Sequence, residues 1–110
     1  MTEEEARTAA LAAVPALRHP SPATVRTELR AGVWWCWQDS LVAGTDRDAV
    51  LVDDEAGWVV RYPAGFAAFG VAAHLDEVRA RITRGVAPQA ALDEVGNAIA
   101  VRFVVGRDLA

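Results

Sequence analysis

The sequence predicts a single α+β domain over residues 1–110: a mostly antiparallel sheet of about five strands, with an N-terminal helix and two helices in the C-terminal half packed on it. Three observations predict it. Hydrophobic residues make up 53% of 110 residues, enough for one core. The apolar pattern runs at helical spacing near the N-terminus and again after residue 74, and at a period of two between them. Turn residues separate the period-two segments into hairpins rather than into strand–helix–strand units.

Thr2 followed three residues later by Glu5 is a capping-box pattern, and Glu3, Glu4 and Glu5 place negative charge where a helix N-terminus favours it. Ala6, Ala10, Ala13 and Leu17 continue one apolar stripe. Pro20-Ser21-Pro22 ends the helix near Leu17 or Arg18, and Pro15 offers an earlier stop. From Ala23 the period is two, with Val25, Leu29 and Ala31 on one side and Arg26, Glu28 and Arg30 on the other, as in a half-buried strand. Val33-Trp34-Trp35-Cys36-Trp37-Gln38 is the next strand, so Ala31-Gly32 reads as the turn of an antiparallel hairpin. Strand parity sends Trp35 and Trp37 to one face, and Trp34 and Cys36 to the other.

Ser40 to Asp48 lacks a period and reads as a surface connection. Ala49–Asp53 and Trp58–Tyr62 are two strands joined by Asp54-Glu55-Ala56-Gly57, the strongest hairpin signal in the chain. Pro63–Gly70 is expected as an apolar loop carrying Phe66 and Phe69. Leu75, Val78 and Ile82 define an amphipathic helix stopped by Gly85. Pro88 opens a short further helix closed by Gly96, and Ile99, Val101, Phe103 and Val105 alternate as a C-terminal strand.

Charge and composition narrow the function. A net charge of −4 lacks the basic excess that a phosphate backbone attracts, so nucleic acid is not the expected partner. No apolar run approaches the roughly 18–20 residues of a membrane span. The acidic N-terminus is unlike a secretory signal, and Cys36 is the only cysteine, so the expectation is a soluble, cytoplasmic protein without disulfides. Arginine without a single lysine, and heavy use of alanine and valine, look like a GC-rich bacterial genome.

No catalytic set emerges. Cys36 with His19 or His74 supplies the elements of a thiolate–imidazole pair, but Cys36 lies in an apolar strand, where cysteine acts as a small hydrophobe. Asp46, Asp48, Asp53, Asp54 and Glu55 do not have the spacing of a calcium loop, and the glycines of 63–70 have no lysine for a phosphate site. The reading is a non-enzymatic protein without cofactor or metal. The acidic cluster steers a basic partner, and tryptophan is the residue most enriched at binding hot spots. The partner-binding candidates are thus Trp34, Asp46, Asp48, Asp53, Asp54, Glu55, Phe66 and Phe69.

Gly32-Val33-Trp34-Trp35 followed by Val50-Leu51-Val52-Asp53-Asp54-Glu55-Ala56-Gly57 resembles the YrhB-like family of small bacterial proteins, predicted immunity proteins of polymorphic toxin systems. The likeness spans roughly residues 5–82. Gly44-Thr45-Asp46-Arg47-Asp48 stands where the family has Gly-Asn, and Pro88–Val105 lies outside the match. The resemblance implies a stoichiometric binder that neutralises a cognate toxin domain. The alternative is a chaperone-like or structural module that associates through a sheet edge or the Phe66/Phe69 segment, and a homodimer is compatible with either.

Overall fold

The structure is a computed structural model that describes residues 1–13, 25–38 and 49–108. The chain divides into two compact units, Met1–Tyr62 and Pro63–Ala110, each described by itself.

The first unit is one helix on a four-stranded antiparallel sheet. Helix α1 spans Glu3–Ala13, and strands β1 (Val25–Arg30), β2 (Val33–Gln38), β3 (Ala49–Asp53) and β4 (Val59–Tyr62) follow in spatial order β1-β2-β3-β4. The capping box forms as predicted. The Glu5 amide donates to Thr2 Oγ1 at 3.2 Å, and the Thr2 amide donates to Glu5 Oε1 at 2.9 Å. The Thr2 amide, and after it the Thr2 hydroxyl, hold the Glu5 carboxyl below its ordinary range. The predicted stops at Pro15 and at Leu17–Arg18 lie outside the described residues.

Helix α1 lies across the sheet on the face bearing Val25, Cys36, Val50 and Val52, where Ala6 and Ala10 are buried with them. Alanine on the helix lets the two backbones approach closely. The parity argument therefore resolves as a covered face: Trp34 and Cys36 point to α1, and Trp35 and Trp37 point away from it. On that second face Val33, Trp35, Leu51, Val60 and Tyr62 are also buried. Trp35 stacks near Trp37 at 6.1 Å and meets Tyr62 edge-on at 5.0 Å, while the Arg30 guanidinium sits over both indoles at 5.6 and 5.3 Å.

Both predicted hairpins are present. In the β1–β2 turn Ala31 has φ 49° and Gly32 φ 76°, the paired left-handed geometry of a two-residue hairpin turn. In the β3–β4 turn Gly57 takes φ 74°.

The second unit is helical. Pro63–Gly70, expected as a loop, contains the short helix α2 (Ala64–Ala68), followed by a 3-10 turn at Val71–His74, helix α3 (Leu75–Thr83) and helix α4 (Pro88–Asp108). Helix α3 ends as predicted at Gly85, with φ 101°: Gly85 N–H donates to the Ile82 carbonyl and Val86 N–H to the Arg81 carbonyl, both at 3.0 Å. Leu75 and Val78 of α3 and Leu92 and Val95 of α4 are buried, and Arg81 meets Glu94 at 3.0 Å between the two helices.

Two expectations about the C-terminal half are corrected. Gly96 does not end a helix, and 98–105 is not a strand; both lie inside α4, and the described sheet has four strands rather than about five. Ala91, Leu92, Val95 and Gly96 are buried and Ile99 half-buried, a helical stripe that reaches the start of the segment expected to alternate, and a helix already formed extends one bond at a time. Gly96 is there for closeness. A Cβ built on it would lie 2.3 Å from Phe66 Cζ, so the ring occupies the space a side chain would need.

Candidate functional site

The acidic turn is built on Asp53. Its Oδ2 accepts the amide protons of Glu55 (3.2 Å) and Ala56 (2.7 Å), so the side chain closes the turn as an Asx motif. The main chain completes it: Asp53 N–H donates to the Trp58 carbonyl at 2.9 Å and Gly57 N–H to the Asp53 carbonyl at 3.1 Å. Asp53 is buried, and its carboxylate is used within the fold.

Asp54 faces outward and joins the turn to the aromatic strand. Its Oδ1 accepts the Trp34 indole N–H at 2.8 Å and lies 3.5 Å from the N-terminal ammonium of Met1. Its amide donates to the Gly32 carbonyl at 3.0 Å, which brings the β1–β2 and β3–β4 turns to the same end of the sheet. Two regions nominated separately by the sequence, the aromatic strand at Trp34 and the acidic turn, thus form one surface. Glu55 is exposed beside it.

The apolar part of this surface comes from register. Leu29 pairs with Trp34, which pairs with Val52 and, one strand further, Val59. Val52 is buried and Trp34 and Val59 half-buried, but Leu29 is 50% exposed, and Met1 is 41% exposed at the start of the chain. Two apolar side chains beside a half-buried indole, with Asp54 and Glu55 next to them, make a contact patch with an acidic rim. An apolar centre with charge at its border is the anatomy of a protein interface.

The other nominated residues are placed differently. Asp46 and Asp48 lie outside the described residues. Phe66 and Phe69 belong to the second unit, where Phe66 packs its ring on Gly96 and Phe69 closes α2, its amide donating to the Phe66 carbonyl at 3.2 Å. Both are half-buried. Cys36 is buried beneath α1, and burial pushes its thiol up to about 11, which favours the neutral thiol over the thiolate. His74 Nδ1 lies 3.3 Å from Glu77 Oε1 on its own helix, and His19 is outside the described residues. Among the described residues no three His, Cys, Asp or Glu side chains converge as a metal would require, and no helix is long and apolar enough to cross a membrane.

Sequence reading missed Leu29 and Met1. The period-two pattern places Leu29 on the side of β1 that carries Val25, and Leu29 shares the α1 face with it. Helix α1 covers Val25 and leaves Leu29 open, a difference no strand pattern encodes. Searches against models of protein families, curated proteins and solved structures find no match for this chain.

Proposed function

We propose that this chain is a protein-binding module, an immunity-type inhibitor that neutralises a toxin domain by stoichiometric association through the Leu29–Trp34–Asp54–Glu55 end of its sheet. The observation that carries the reading is the hydrogen bond from Trp34 to Asp54, which fuses an apolar strand end and an acidic turn into one pre-formed surface. Pre-organisation favours tight binding, because little side-chain freedom is then lost on association. The partner this surface suits presents arginine or lysine around an apolar side chain, and the net charge of −4 adds long-range attraction to it. The toxin identity of that partner rests on the family resemblance.

The test is co-expression with the product of a neighbouring toxin gene, followed by size-exclusion chromatography and a toxin activity assay. A stable one-to-one complex that silences the toxin supports the reading. In that complex Glu55→Arg slows association and flattens its salt dependence. Absence of a complex with the toxin still active refutes the inhibitor role.

A second reading, a structural or chaperone-like module, has one observation in its favour: among the described residues β1 is paired on one side only, by β2. Suppression of aggregation of unrelated unfolded clients tests it, and no effect on them rejects it.

A further inference from the structure

We propose that Glu3 and Arg7 form a latch that closes the outer edge of β1, so that a further strand adds to this sheet only when α1 releases that edge. The proposal is independent of the inhibitor reading, because it rests on contacts between α1 and β1 alone.

The outward groups of β1 follow from its turn. In a two-residue hairpin the residues flanking the turn bond to each other, so Arg30 bonds to Val33 and the alternation turns the main-chain groups of Arg26, Glu28 and Arg30 towards β2. The N–H and C=O groups of Val25, Thr27 and Leu29 therefore point away from it, and among the described residues no other strand pairs with them. Such a row is a template for another extended chain. The strand's own backbone does not prevent pairing, since Val25–Arg30 contains no proline and its register with β2 runs unbroken by a bulge.

Helix α1 meets this row with two side chains one turn apart. Arg7 Nε donates to the Val25 carbonyl at 3.2 Å, and Arg7 Nη2 lies 2.7 Å from Glu3 Oε1. The same Glu3 oxygen accepts the Thr27 hydroxyl proton. One carboxylate thus ties Arg7 to Thr27, and the three bonds reach the first two of the three outward-facing residues of β1. Val25 is in addition buried beneath the helix. An incoming strand must displace the guanidinium from the Val25 carbonyl and pass the carboxylate at Thr27. Only Leu29, half exposed, is left open, and its two main-chain groups are too few to hold a strand. An exposed ion pair one helical turn apart contributes little to stability by itself, so removing the latch alters the edge far more than the fold.

The test uses the full chain with Glu3→Ala and Arg7→Ala together. In the unsubstituted chain the Thr27 and Leu29 amides should exchange with solvent at rates independent of protein concentration. In the E3A/R7A chain, light scattering should show self-association strengthened about tenfold, and both amides should gain protection as concentration rises. Adding Thr27→Pro removes the central outward N–H, a change that an edge strand tolerates, and should abolish the gain. Glu3→Gln keeps the size of the side chain and loosens the ion pair, and should shift both readings the same way by a smaller factor. Near-UV circular dichroism of the tryptophans identifies the folded variants. Unchanged association in the folded E3A/R7A and E3Q chains, a gain that leaves the Thr27 and Leu29 amides unprotected, a gain that survives Thr27→Pro, or concentration-dependent protection already present in the unsubstituted chain overturns the proposal.

Discussion

Replacing Gly96 by alanine separates two opposing effects that the structure sizes independently. Glycine inside a helix is about 1 kcal/mol less favourable than alanine, so helix propensity alone makes Gly96→Ala stabilising. Against this stands Phe66. The new Cβ would meet the ring at 2.3, 2.4 and 2.9 Å, where carbon atoms normally rest about 3.5–4.0 Å apart, so the ring must move by more than an ångström. Forcing an extra methyl into such a contact costs about 1–3 kcal/mol. The single substitution should therefore be neutral to destabilising, by about 0–2 kcal/mol. In a Phe66→Ala background the obstruction is gone, and the same substitution should stabilise by about 1 kcal/mol. Urea unfolding of the four proteins of this cycle gives the coupling directly, expected at about 1–3 kcal/mol. If Gly96→Ala shifts stability equally in both backgrounds, Phe66 does not fill the glycine's space.

Three other outcomes follow from the turns and the buried thiol. Asp53→Ala removes the acceptor of two charge-assisted bonds and should cost about 2–3 kcal/mol in denaturant unfolding, whereas Glu55→Ala should stay within about 0.5 kcal/mol; equal effects would mean that the turn is not held by Asp53. Ala31→Gly relieves a left-handed residue with a side chain and should raise stability by about 0.5–1 kcal/mol, seen as a higher urea midpoint, and a lower midpoint would contradict the strain. Cys36 should resist thiol reagents in the native protein at pH 8 and react on unfolding. Because its folded value is raised to about 11 from 9.0, the unfolded thiol ionises first as pH rises, so its contribution is complete below pH 9 and is lost between 9 and 11. Cys36→Ala should flatten stability in that window.

The candidate surface was legible in parts. Asp53, Asp54 and Glu55 are conspicuous as an acidic hairpin turn, and Trp34 stands out by strand parity, since both signals are local. Their roles are not local. Asp53 and Asp54 are adjacent, yet one is buried and binds its own turn while the other reaches the indole twenty residues earlier in the chain. Which does which depends on the β2–β3 register, where Val33 meets Asp53. Phe66 is legible in the sequence only as part of an apolar loop, because the glycine that accommodates it is thirty residues later and, taken alone, looks like a helix stop.

What the sequence determined by itself is what short-range physics controls. The Thr2/Glu5 box starts α1, Ala31-Gly32 and Asp54–Gly57 turn the chain back on itself, Gly85 ends α3 and Pro88 begins α4, each through bonds or backbone angles within a few residues. Tertiary structure decided the rest. An apolar run such as 98–105 suits a strand or a helix, and packing of the stripe from Ala91 to Ile99 made it α4. Likewise Val25 and Leu29 occupy equivalent positions on one strand face, but only one lies beneath α1. Burial is a property of what arrives from elsewhere in the chain, and that is why the exposed Leu29, and with it the surface at Trp34 and Asp54, emerges only from the folded protein.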